Sequence, residues 1–279
     1  MLKTSPDRLF RLASLRTERN DVGDTATWQL GDGGPRVLLI HGFRGDHHGL
    51  LGVAGALPEA SFVIPDLPGF GKTPALATEH SLENYSKWLR NFVEKAGQFD
   101  AILAHSFGTL VLSKALDDGL NAEKVLLQNP ISKKQQSGII NTVANSYYRL
   151  GARPGSNLLR SQLVVRGMSM ALATTAKPSL RRFIHAQHSE FFSTYATNLS
   201  VWQGYQAASS HGVLDYVQAL PGKLTIVAGE RDIVAPLSGQ LQLANSTGAE
   251  LKILKGKGHL THYECPAAVA SYLSELLER

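Results

Sequence analysis

The chain has a single cysteine, Cys265, in 279 residues, so it closes no disulfide within itself. That scarcity fits a reducing compartment, and the expected location is cytoplasmic. No apolar run approaches the roughly 18 residues that a bilayer-spanning helix needs. The stretch from Met1 to Arg8 also lacks the apolar segment of a secretory leader. Internal repeats and low-complexity tracts are missing too. Acidic residues are scarce in one place. Between 131 and 212 the sole carboxylate is Glu190, against nine lysines and arginines, so that stretch carries +8 where the whole chain carries +5. The excess reads either as a solvated helical surface or as a field that draws in anionic substrates. No nucleic-acid-binding motif accompanies it, which argues against a nucleic acid partner.

What is present is a regular alternation of strand and helix patterns. Val37-Leu38-Leu39-Ile40 and Ala101-Ile102-Leu103 are continuous apolar runs, as is most of Leu224-Thr225-Ile226-Val227-Ala228. Such runs belong to strands buried on both faces of a parallel sheet. Strands are expected near 36–40, 62–65, 100–104, 124–128, 223–228 and 250–254, with one or two more before residue 31. Helices are expected near 81–96, 107–118, 236–246 and 266–278, which together imply an α/β fold with a mostly parallel sheet covered on both sides. Between Asn129-Pro130 and Asp215 the alternation stops, and helix-like periodicity takes over, broken at Gly151, Pro154 and Pro178.

The polar residues of interest sit at the C-terminal ends of these strands, where open α/β sheets build their sites. Ala104-His105-Ser106-Phe107-Gly108 places a serine between small residues, where a strand turns sharply into a helix. Small neighbours two positions away let strand and helix pass closely, and the strained turn pushes the hydroxyl out above the sheet. The run 37–40 ends in His41-Gly42-Phe43-Arg44-Gly45, a turn whose backbone approaches a ligand closely. Asp232 follows the strand at 224–228, and His259 follows the one at 251–254. A serine hydroxyl is a poor nucleophile until a base removes its proton. Histidine suits that task because its pKa lies near working pH, and a carboxylate holds the ring in the right tautomer.

With Asp66-Leu67-Pro68-Gly69-Phe70-Gly71, Gly229 to Asp232 with Pro236, and Gly258-His259 with Glu264 and Pro266, these motifs make the chain resemble the α/β-hydrolase superfamily from about residue 20 onward. The resemblance is to its serine esterase, lipase and C–C hydrolase branch. It implies an eight-stranded sheet flanked by helices, with a core domain of 1–130 and 214–279 and a helical cap inserted at 131–213. It also implies Ser106 as nucleophile, His259 as base and Asp232 as orienting acid, with an oxyanion hole from the N–H groups of Phe43 and Phe107. His41, Gly42 and Arg44 join as candidate substrate-binding residues, Arg44 by gripping a carboxylate at two points.

His262 and Glu230 rival His259 and Asp232, but the Gly258-His259 turn and the Gly229-x-x-Asp232 spacing favour the latter pair. Some relatives carry their acid after the sixth strand, where this chain has Asn129. Asp66 is expected to cap backbone N–H groups, His105 to pack locally, and Cys265 to be structural. Asp46-His47-His48 resembles a metal cluster only superficially, and solvated loop side chains are expected there. Phe183, Phe191, Phe192, Tyr195, Trp202 and Tyr205 are expected to form cap core, with two or three lining a pocket. The expected activity is hydrolysis of a small or medium carboxylic ester, thioester or lactone, with a small-molecule partner, no cofactor, no metal, and a monomer or homodimer. The alternatives are C–C bond hydrolysis of an anionic dione, a non-catalytic ligand receptor, and cofactor-free oxygen chemistry.

Overall fold

A computed structural model describes residues 4–134 and 139–279. Eight strands, β1 (Glu18–Arg19), β2 (Thr27–Leu30), β3 (Arg36–Ile40), β4 (Ser61–Pro65), β5 (Ala101–His105), β6 (Lys124–Gln128), β7 (Lys223–Gly229) and β8 (Glu250–Leu254), form one sheet. Their order across it is β1-β2-β4-β3-β5-β6-β7-β8. The β1–β2 and β2–β4 pairs are antiparallel, and every other pair is parallel.

The apolar runs are explained by what covers each face. Side chains alternate across a strand, so Leu38, Ile40, Ile102 and Ala104 look one way and Val37, Leu39, Ala101 and Leu103 the other. The first set packs under α3 (Leu82–Ala96) and α4 (Phe107–Asp117), through Leu89, Phe92 and Leu110. The second packs under the first two helices of the chain, α1 (Pro6–Ser14) and α2 (Leu51–Ala54), and under the C-terminal helix Pro266–Leu277, through Leu51, Val53, Val269 and Leu273. Two-sided burial removes any polar face, and that produces a continuous hydrophobic signal rather than an alternating one.

Between β6 and β7 the described residues contain no strand. They form α5 (Ile139–Gly151), α6 (Gln162–Leu172), α7 (Pro178–Phe191) and α8 (Asn198–Ser210). The expected cap also takes in residues 135–138, which lie outside the described residues. The chain then returns to the sheet and adds α9 (Leu237–Thr247) before β8, followed by α10 (Thr261–Glu264) and α11, the C-terminal helix already given. No helix is long and apolar enough to cross a membrane among the described residues.

Candidate active site

Ser106 is the residue between β5 and α4, and it holds the positive φ of 52° with ψ −120°. A non-glycine residue in that region is strained, and it persists only where the surroundings enforce it. Two glycines make the enforcement possible. A Cβ at Gly108 would lie 2.6 Å from the His41 carbonyl oxygen, and one at Gly42 would lie 3.0 Å from Ser106 Cβ. The helix start and the turn after β3 therefore close on the serine from both sides. On the far side of the site, a Cβ at Gly229 would sit 2.1 Å from the Gly258 carbonyl, so the loops carrying Asp232 and His259 touch through backbone.

These loops bring three distant side chains into one chain of contacts. Ser106 Oγ lies 2.7 Å from His259 Nε2, and His259 Nδ1 lies 2.7 Å from Asp232 Oδ2. The carboxylate only accepts, so Nδ1 carries the proton, and Nε2 is left to accept from the hydroxyl. Burial alone would push the Asp232 carboxyl up, but the imidazole, the Ala235 N–H and the Asn129 amide outweigh it and hold the group below its usual value. Asp232 Oδ1 takes the N–H groups of Val234 and Ala235, at 2.8 and 2.9 Å.

Asn129 is the functional residue that sequence reasoning passed over. It occupies the position after β6 with φ 47°, and its amide donates to Asp232 Oδ2 at 2.7 Å. Thr261 Oγ1 in turn donates to Asn129 Oδ1 and accepts from Gln128 Nε2. The place where some relatives carry the acid thus supports the acid here. Its signal was visible as a polar residue ending an apolar strand.

A cavity of about 1260 Å³ opens over Ser106 and His259. Its wall includes His41, Gly42, Phe43 and Phe107 from the core, and Tyr148, Met168, Leu172, Phe191, Phe192 and Tyr205 from the helical segment. The family model described as "Alpha/beta hydrolase family" matches residues 37–272. The chain belongs to the α/β-hydrolase family. Among solved structures, it resembles an esterase from Exiguobacterium antarcticum at 15% identity and a TM-score of 0.76, covering 91% of this chain and 96% of that one. A 2-hydroxy-6-oxo-6-phenylhexa-2,4-dienoate hydrolase from a Rhodococcus species aligns at 18% identity and TM-score 0.73, over 94% and 98% of the two chains. An enol-lactonase from Burkholderia xenovorans aligns at 15% identity and TM-score 0.73, over 94% and 100%. No curated protein matches the chain by sequence. At these identities the neighbours establish the fold and leave the reaction to this chain's own residues.

The remaining candidates of this hydrolase-fold chain fall into place around that centre. Glu230 turns outward and accepts from the Gly256 N–H. His262 packs beside His105, ring centroids 4.1 Å apart, and His105 in turn stands 5.1 Å from His259. Burial, reinforced by the neighbouring imidazoles, pushes both His105 and His262 far below the usual histidine value. His41 accepts the Leu67 N–H on Nε2, so Nδ1 donates to the Gly42 carbonyl, which makes it a pin for the turn. Asp66 accepts from the N–H groups of His47 and Lys72, as expected of a cap. Burial pushes the Cys265 thiol up to about 12.

One expectation changes. Asp46 and His47 are buried rather than solvated. His47 stacks on Trp28 at 3.4 Å and His48 on Phe191 at 3.7 Å, the two imidazoles lying 3.8 Å apart. Their Nδ1 atoms bond the Asp66 and Asp46 carboxylates. These three residues are the one set among the described residues whose metal-type donor atoms lie within 4.8 Å of each other. A stack from β2 to α7 explains why they are buried.

Arg44, on the cavity wall, also reaches the helical segment. Its side chain is 1% exposed, with Nη2 donating to the Leu159 carbonyl at 2.6 Å and Nε to the Phe192 carbonyl at 3.3 Å. The Nε–Nη2 edge thus faces the helical segment, while Nη1 has no partner among the described residues. Glu264 makes a second tie from the other side. It accepts the N–H groups of Thr174 and Thr175, at 2.6 and 3.0 Å, while Thr174 Oγ1 accepts the Gly258 N–H beside His259.

Proposed function

We propose that this protein is a serine hydrolase that cleaves a carboxylic ester, thioester or lactone through an acyl-enzyme on Ser106. The observation that carries the reading is the unbroken contact from Ser106 Oγ through His259 to Asp232 on the floor of a largely apolar cavity. Ser106 Oγ attacks the carbonyl carbon while its proton passes to His259 Nε2. The oxygen of the tetrahedral intermediate takes the N–H groups of Phe43 and Phe107. Phe107 begins α4, where an N–H has no acceptor within the helix, and the Phe43 N–H has no partner among the described residues. Each such donor is worth about 3 kcal/mol in acyl transfer. His259 then protonates the leaving group, and water repeats the cycle on the acyl-enzyme.

In this reading residues 1–130 and 214–279 are the catalytic core, and 131–213 form a lid. A second reading, hydrolysis of the C–C bond of an anionic dione, is favoured by Lys133 and Lys134, exposed on the cavity wall. A side-by-side panel of neutral esters, lactones and carboxylate-bearing diones separates the two. The decisive test of the chemistry is a fluorophosphonate probe read by intact mass. One adduct is expected on the native protein and none on Ser106→Ala, which also loses p-nitrophenyl ester turnover. An unlabelled, folded native protein would favour a receptor, and an active Ser106→Ala would refute the nucleophile.

A further inference from the structure

Helices α5 and α6 have two kinds of apolar face. Ala144 and Tyr148 of α5, with Met168 and Leu172 of α6, line the cavity. Yet each helix also turns large apolar side chains to solvent. On α5 these are Val143 and Leu150, 63% and 45% exposed; on α6 they are Leu163 and Met170, 83% and 57% exposed. Each pair is two helical turns apart, and so lies on one side of its helix. A helix covering a soluble core keeps that side polar. Both helices pack against the short helical turn Leu158–Arg160.

Cations surround these side chains. Arg149, Arg153 and Arg166 are in none of the ion pairs among the described residues. A separate hollow of about 350 Å³, lined by Ser146, Arg149, Leu150 and Arg153, puts two of the guanidinium groups beside an exposed leucine. Protruding apolar side chains next to unpaired arginines match a phospholipid surface: the former enter the acyl boundary while the latter meet head-group phosphates. A second copy of this chain would bring Arg149, Arg153 and Arg166 against the same cations of its partner, which Coulomb repulsion opposes.

We propose that the α5–α6 face docks this protein on an anionic bilayer, with head-group phosphates on Arg149 and Arg153. The docking does not depend on the reaction read above. If that reading holds, apolar esters reach the cavity from the membrane side of the same two helices. The test uses full-length Ser106→Ala protein, sedimented with vesicles of phosphatidylcholine alone or mixed with phosphatidylglycerol. Binding is expected only to the anionic vesicles, and it weakens as salt rises. Arg149→Gln combined with Arg153→Gln should lower it about 30-fold, at roughly fivefold per surface cation. Leu163→Gln with Met170→Gln should lower it as well. In the Ser106 background both double variants should turn over a short soluble ester at the native rate, which separates failed docking from failed chemistry. Absence of native binding to anionic vesicles overturns the proposal, as does binding unchanged in both variants. A dimer in light scattering that Leu163→Gln dissolves would assign the face to a second copy instead.

Discussion

Asn129 shows how a neighbouring side chain helps keep a buried carboxylate charged. Its amide is one of the groups holding Asp232 ionised, and its backbone sits at φ 47° so that the side chain reaches the acid rather than solvent. Asn129→Ala removes a hydrogen bond to a charged group, worth about 1.5–3 kcal/mol in a buried setting. The expected result in steady-state kinetics is a kcat at least about tenfold lower with KM nearly unchanged, because in the proposed mechanism the bond steadies the imidazolium and not the bound substrate. Cys265 gives a converse expectation. With its thiol pushed up to about 12 by burial, it holds almost no thiolate at neutral pH, so iodoacetamide should modify the folded protein far more slowly than the unfolded chain.

At the scale of elements, the close passes decide the geometry. β3, β5 and α4 meet where a Cβ on Gly108 would press on the carbonyl oxygens of Ile40 and His41, at 2.8 and 2.6 Å. Those are backbone atoms at the end of a central strand and at the start of the turn after it, and they cannot swing away. Gly108→Ala is therefore expected to lower Tm by several degrees and to reduce activity more than any alanine on the exposed face of α4, by differential scanning fluorimetry and ester assay. Among the ties of the helical segment to the core are two buried charged side chains, Arg44 near the Phe43 turn and Glu264 near the His259 loop, besides the Phe70–Tyr195 backbone bridge. Arg44→Met strands two buried carbonyls, each costing about 1–3 kcal/mol. Hydrogen exchange should quicken around Leu159 and Phe192 while β5 and β6 remain protected; equal protection everywhere would dismiss Arg44 as a tie.

For the whole molecule, buried histidines set the response to acid. His41, His80, His105, His188 and His262 are all held below the usual histidine value, chiefly by burial, with His80 and His188 down to about 4. A neutral buried histidine takes up a proton on unfolding once pH falls below its free value, about 6.5. The unfolded state then binds more protons, so stability is complete above that pH and declines as pH falls through the window down to the folded value. Each fully shifted histidine contributes a slope of about 1.4 kcal/mol per pH unit. Tm is expected to fall steeply between about pH 6.5 and 4.5, and His188→Gln should flatten the fall; an unchanged slope would show that other groups govern it.

The order of strands and helices, the parallel sheet and the three distant catalytic candidates were legible from the chain because each depends on local pattern. Apolar runs report two-sided burial, and a serine among small residues reports a turn that only small residues permit. Neither the fate of Arg44 nor that of Asp46-His47-His48 was legible, since both depend on which side chains from α7 and its neighbours arrive over them. A loop histidine is solvated or stacked according to whether Trp28 and Phe191 stand on either side, and those partners are 19 or more residues away. Local sequence thus determined where polar groups end the strands, and packing over long separations decided which of them meet in one chain of contacts, which brace those, and which join the helical segment to the core.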